Sequence, residues 1–491
     1  MAHRTRHPVA PAPRAPQRES TAHLALRAYA TFVLFSALAY SWWYNLLGTV
    51  GAGVLIAACV LGTLGIWIPH LARRRGRRAY PWRRLPWVAL AYVALALAST
   101  AWSAWPLATV GTWAVMVAFT LQALFLADML TWGEIIRALE VALRWVLGAS
   151  LAFEAWVALF VGHPILPNFF ATEGTPDPHW YWVRGNLFDD WFVGDRIQGI
   201  VGNANLIGML ALVALIVFGA RLRLAILNRA SAETLVFHGL WIALALWMLA
   251  RAGSATALAA GAVAAGVLLV ALVMRRQRTA RGRTRVYAGF TALAVALAAA
   301  GWALRGPLLD ALGRDGGLTG RDAIWSAVWE RAAAHPVVGN GFSSPWVPWH
   351  PAFAGWIVDH DITVFQAHNM WLDTFLQLGT LGVLLVAAVY GSALWRAWFF
   401  AVDRPRWDAH AERAYSPLTL VPILLIWALL AQGLTESNPV MFWGWLVVVM
   451  FVAKLKVSPV LTHPDSGADI GRRRPRRGVP RVAQPAVTPA S

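Results

Sequence analysis

Ala367-His368-Asn369-Met370-Trp371-Leu372 runs almost at once into Leu376-Gln377-Leu378-Gly379-Thr380-Leu381-Gly382. A polar loop here enters an apolar stretch that extends to about residue 394, long enough to cross a hydrocarbon core as a helix, which takes about 20 residues. The pattern recurs along the chain. Apolar stretches at 25-44, 47-71, 85-102, 107-127, 138-161, 203-220, 234-250, 254-274, 287-304, 371-394, 417-434 and 440-456 read as spans. A composition of 58% hydrophobic and 13% charged residues departs from the balance of a soluble globular domain. The fold class expected is all-α: a polytopic membrane protein with about 12 transmembrane helices and a large outer loop containing short helices. Residues 1-24 and 458-491, rich in Arg and Pro, are expected to be disordered tails around a 25-457 membrane domain. The first span is too long, and lacks a small-residue cleavage site, to read as a removed signal peptide.

Positive charge orients the spans. Of 42 Lys and Arg, all but Arg184, Arg196, Arg251, Arg305, Arg314, Arg321 and Arg331 fall in the termini and alternate loops that share one side. That asymmetry predicts cytoplasmic termini in the inner (cytoplasmic) membrane, with loops 162-202 and 305-370 outside. The net charge of +18 is thereby explained by topology and membrane lipids, and no nucleic acid partner is expected. The single Cys59 permits no internal disulfide.

Polar sequence concentrates on the outer side. Thr319-Gly320-Arg321-Asp322 has a capping-box pattern and predicts a helix to about Ala334, stopped before Pro336. Arg321 in its first turn opposes the helix dipole, a conflict that a bound anion relieves; pairing with Asp315 or Asp322 is the plainer alternative. Arg196, in Asp195-Arg196-Ile197-Gln198-Gly199, precedes Gly202-Asn203-Ala204-Asn205 at the start of the sixth span. Asn203 there is also ordinary cap chemistry. Arg251 lies in the turn Arg251-Ala252-Gly253-Ser254, where a snorkelling arginine needs no further role. His368, followed by Asn369 and Asp373 at the mouth of a span, is the sharpest candidate. Polar groups entering an apolar span are costly, and imidazole accepts a hydroxyl proton near neutral pH. His335, His350 and His360 share the loop without a compact metal spacing, so no metal is expected, and no cofactor.

The Arg321 segment, His335-Pro336-Val337-Val338-Gly339-Asn340-Gly341 and the His368-Asn369 junction together resemble the O-antigen ligase and O-antigen polymerase family over roughly 185-390, with a weaker echo at Glu436-Ser437-Asn438. Where that family carries Ser-Arg-Thr or Ser-Arg-Gly, this chain reads Ser254-Ala255-Thr256. Either Arg251 takes the role from the other side of the turn, or the role is absent. The resemblance implies a glycosyltransferase that moves a polyprenyl-diphosphate-linked oligosaccharide onto a hydroxyl of a glycan or lipid-glycan acceptor, with inversion. It implies catalytic roles for His368 and Arg321, and substrate contacts from Arg196, Arg251, Asn203, Asn205 and Asn369. Two other readings stay open: a lipid-linked glycan flippase or transporter, and a polyprenyl-phosphate-sugar-dependent glycosyltransferase. The latter group usually shows an acidic pair in its first outer loop, and none stands near Tyr44 to Leu46. A transporter is expected to show charged or broken helices at mid-membrane.

Overall fold

The computed structural model describes residues 20–74, 82–168, 180–188, 196–303, 321–360, 362–403, 415–459 and 461. Thr319 and nearly all of both expected tails lie outside these residues. Ser20 accepts a hydrogen bond from the His23 amide, so the first helix, α1 (Thr21–Leu38), begins four residues before the expected start. There follow α2 (Tyr40–Arg74), α3 (Trp87–Ala98), α4 (Pro106–Met129), α5 (Trp132–Trp156), α6 (Ala204–Leu227), α7 (Ala232–Ala252), α8 (Ala255–Arg276) and α9 (Ala280–Ala303). A short outer helix, α10 (Arg321–Ala333), precedes α11 (Met370–Val402), α12 (Leu420–Gln432) and α13 (Phe442–Val457). Side-chain caps set several starts. Thr131 and Glu134 form a reciprocal capping box on α5, and Ser231 and Ser254 cap α7 and α8.

Among the described residues, nine helices are long and apolar enough to cross a membrane. The other three expected spans fall on shorter helices, of 12, 13 and 16 residues for α3, α12 and α13. At about 1.5 Å per residue these cover at most ~24 Å of a ~30 Å core. The reason is positional for the last two. Residues of α12 and α13 are buried on nearly every side, so both form the centre of the bundle rather than a lipid-facing wall. The turns Pro417–Thr419 and Asn438–Val440 occupy the depth left at their ends. α13 packs on α4, α12 on α8, and α6 on α7, so neighbours in space are mostly distant in sequence.

The outer segment is a folded cap. Trp105, Ile324, Val328, Trp346, Phe353 and Leu376 form a second apolar core, with Trp346 and Phe353 stacked at 5.7 Å. A two-residue hairpin ladder, β1 (Val358–Asp359) with β2 (Ile362–Thr363), closes it. The cap is tied to the bundle where α11 breaks at Gly379 (φ 59°). The amides of Asn340 and Gly341 donate to the carbonyls of Leu376 and Gln377, at 3.0 and 2.9 Å, while those of Thr380 and Leu381 donate to Pro336 and Val337, at 2.9 and 3.2 Å. A broken helix survives in an apolar layer only if its freed backbone groups find partners, and the Pro336–Gly341 segment supplies them. The break is therefore closed by protein backbone.

This backbone-on-backbone packing leaves no room for a Cβ. One placed at Gly379 would lie 2.4 Å from the Val337 carbonyl, and one at Gly339 2.4 Å from that of Gln377. Gly379→Ala is expected to lower stability by about 1–3 kcal/mol or more from strain and overpacking. Gly266→Ala, in open space within α8, should be neutral or slightly stabilising. Thermal unfolding of the two purified variants checks this.

Candidate active site

Glu436, in the turn between α12 and α13, has a side chain only 8% exposed. A carboxylate so placed needs partners, and three segments supply them. Arg321 Nη2, from the first turn of α10, donates to Glu436 Oε1 at 2.9 Å. Asn205 Nδ2, from the first turn of α6, donates to the same oxygen at 3.2 Å. Oε2 faces His368 Nδ1 at 3.0 Å and accepts from Gln366 Nε2 at 3.3 Å. Burial alone would push the Glu436 carboxyl up. His368, Arg321 and Asn205 outweigh that and hold it below the ordinary carboxylate value, so it is ionised at neutral pH.

Asn205 extends the chain of contacts. Its Oδ1 accepts from Arg196 Nη2 at 2.8 Å and from Ser254 Oγ at 3.0 Å. Arg196 Nε donates to the Ala252 carbonyl at 2.7 Å. Gly253, in the left-handed region at the end of α7, allows this: a Cβ there would stand 3.3 Å from Arg196 Cγ. The loop bearing Arg196 is held from below by α5. Glu154 Oε1 accepts from the amides of Gln198 and Gly199, both at 2.8 Å, and Ser150 Oγ accepts from Ile200 N at 3.1 Å.

His368 has φ of 48°, unusual for a residue with a side chain and costing of order 1–3 kcal/mol. Its neighbours enforce it. Trp325 Nε1 donates to the Ala367 carbonyl at 2.9 Å, Asn369 caps α11 through the amides of Trp371 and Leu372, and Met370 N donates to Gly433 O at 2.9 Å. The contact of Nδ1 with a carboxylate favours the tautomer that carries its proton there, leaving the Nε2 lone pair able to accept one.

Of the residues singled out from sequence, His368, Arg321 and Asn205 thus meet on one carboxylate, and Arg196 joins them through Asn205. Asn203 and Asn369 do not join them through their oxygens, which accept from backbone amides as the caps of α6 and α11. Arg251 is 3% exposed, and its carbonyl accepts from Ile197 N at 3.2 Å. It stands behind the Arg196 loop, in electrostatic reach of Glu154. Arg321 is paired with Glu436 rather than with Asp322 as its alternative reading had it, and Asp315 lies outside the described residues. Asp373 turns away, accepting from Trp346 Nε1 at 2.9 Å and Gln377 Nε2 at 2.7 Å inside the cap. Among the described residues no three His, Cys, Asp or Glu side chains are grouped as a metal site. Sequence reasoning missed the central roles of Glu436, Gln366 and Glu154. Glu436 and Glu154 shared one signal, a carboxylate bordering an otherwise apolar span.

Residues 238–387 match the O-antigen ligase family. A further 29% identity over 94 residues, 18% of this chain, links it to the exopolysaccharide production protein ExoQ of Rhizobium meliloti (strain 1021). The match spans 20% of that relative's length. A chain from a structure titled "Structural coordination of polymerization and crosslinking by a peptidoglycan synthase complex" overlaps 78% of this chain and 98% of its own, at 17% identity. Its TM-score of 0.33 is too low to support a structural conclusion. The matched region contains Arg251, Arg321 and His368, and over it this integral membrane protein is similar to the O-antigen ligase family.

Proposed function

We propose that this protein transfers or polymerises a polyprenyl-diphosphate-linked oligosaccharide onto an acceptor hydroxyl at the outer face of the cytoplasmic membrane, in surface or exopolysaccharide assembly. The observation that carries the reading is the convergence of His368, Arg321 and Asn205 on Glu436 at one end of the bundle, with Arg196 joined to them through Asn205. The acceptor oxygen attacks the anomeric carbon as the bond to the diphosphate oxygen breaks. His368 Nε2 takes the hydroxyl proton, and the departing oxygen keeps the bonding electrons. Arg321 offers its guanidinium for that charge, which develops most fully in the transition state, and the positive charge of Arg196 stands behind it through Asn205. Glu436 orients the imidazole and balances the proton it gains. A single displacement of this kind inverts the anomeric centre and requires no metal; sustained turnover in chelator tests the second point.

Three outcomes are expected of purified protein given lipid-linked donor. His368→Ala should lose about 10²–10⁴-fold in turnover while still binding donor; near-normal turnover would remove the proposed base. Arg321→Ala should weaken both donor engagement and turnover, and Lys at this position should restore only part, lacking the bidentate fork. Glu436→Gln should separate the two constants. It removes the carboxylate that competes with a diphosphate for Arg321, so kcat should fall while the donor KM holds or drops. A purely structural role for Glu436 would degrade folding and both constants together.

The orientation is tested apart from the chemistry. In a Cys59→Ser background, Val337→Cys, exposed beside the cap, should react with an impermeant thiol reagent in intact cells. Ala280→Cys, at the opposite end, should not; the reverse pattern overturns the outward-facing site.

A further inference from the structure

A second charged cluster lies at the other end of the bundle, inside the helices. Glu140 and Arg144 stand eight and twelve residues into α5, about 12 and 18 Å along its axis. Arg221 lies six residues before the end of α6, and His238 six residues into α7, each about 9 Å from a helix end. Glu140, its side chain 2% exposed, pairs with Arg144 Nη2 and, at 2.8 Å, with Arg221 Nε. His238 Nδ1 is 3.3 Å from Glu140 and 3.4 Å from Arg144 Nη2. Ionised groups within such apolar helices are rare and normally balanced.

Among the described residues the charges do not balance. One carboxylate meets two guanidiniums, which leaves a surplus positive charge with His238 neutral. Arg144 Nε is buried and makes no hydrogen bond among the described residues. The single bond shown for Arg221 uses Nε, leaving its two terminal nitrogens without a partner among the described residues, on a side chain that still reaches the surface. Phe237 lies under the Arg144 guanidinium at 4.5 Å and fixes its plane. Around the cluster the surface is apolar and outward-facing: Trp145, Val236, Phe237 and Leu240 are all exposed. An anion with hydrocarbon attached fits both features, the charge between the arginines and the chains along these side chains.

We propose that Arg144 and Arg221 bind the phosphate of an anionic phospholipid drawn from the leaflet at this end of the bundle. Basic pockets between membrane helices take such headgroups, and the fork of Arg221 suits a phosphodiester. The site is independent of the glycan-transfer reading, because it shares no residue with the Glu436 cluster.

The test is the thermal midpoint of full-length protein in detergent, with phosphatidylglycerol, phosphatidylethanolamine or inorganic phosphate added. Phosphatidylglycerol should raise the wild-type midpoint by several degrees, the other two should not, and Arg221→Gln should lose the increment. Should Arg221→Gln fail to fold, Arg221→Lys keeps the charge without the fork and should show a reduced increment. An increment undiminished in the variant that folds overturns the proposal and leaves the cluster as a helix staple. An equal rise with phosphatidylethanolamine, or with inorganic phosphate alone, overturns it as well.

Discussion

The candidate site depends on the ionised carboxylate of Glu436 having been taken out of water. Its hydration must be replaced, and the replacements come from the start of α6, the start of α10 and the strand-to-helix junction before α11. Breaking one arm of a buried ion pair typically costs about 3–5 kcal/mol, because the remaining charge is left uncompensated. That penalty couples the three segments to the turn that bears Glu436, because each contacts one of its two carboxylate oxygens. The shortness of α12 follows the same logic. A helix of full membrane length would carry Glu436 out into solvent, whereas one ending at Gln432 leaves the turn at the depth of the first turns of α6 and α11.

The position of Arg321 is fixed from both ends of α10. Its N-terminal turn is anchored through Arg321 to Glu436, and the chain beyond its C-terminus runs into the Pro336–Gly341 segment docked on the broken part of α11. Apolar contacts of Ile324 and Val328 with Trp105 and Leu376 fill the space between. The cap therefore behaves as part of the bundle rather than as a loose loop. A transporter is expected to show charged or broken helices at mid-membrane, and α11 has a break. It is filled by the cap's backbone, while the ionic contacts of Glu436 lie at the helix mouths.

The residues legible in the sequence were those whose setting was locally abnormal: an arginine against a helix dipole, a histidine opening an apolar span. Asn203 and Asn369 looked equivalent to Asn205 because cap and ligand positions share one vocabulary, and only geometry separates an oxygen facing amides from one facing Arg196. Glu436 as the hub was not legible. Its partners lie 68, 115 and 231 positions away, and no local period encodes such a meeting. The helices were readable from charge exclusion, but length was not, since α12 and α13 are buried by protein and need not match a bilayer. Closure of α11 at Gly379 depends on a segment some forty residues earlier, equally invisible to a local reading.

The charges around Glu436 also bear on why a carboxylate should stand where a diphosphate is proposed to bind. Glu436 neutralises Arg321 while no anion is present, which removes the cost of an unpaired buried guanidinium. An arriving diphosphate competes for the same fork, and Glu436 then retains His368, Gln366 and Asn205 as partners. As the acceptor proton moves to the imidazole, a positive charge appears beside the carboxylate. At the same moment the leaving diphosphate gains negative charge beside the arginines. The two opposite charges made by the reaction thus arise next to groups of complementary sign already in place, so little reorganisation is needed. In the proposed reaction the arrangement stabilises separated charge better than it stabilises the resting substrate, as transition-state complementarity demands.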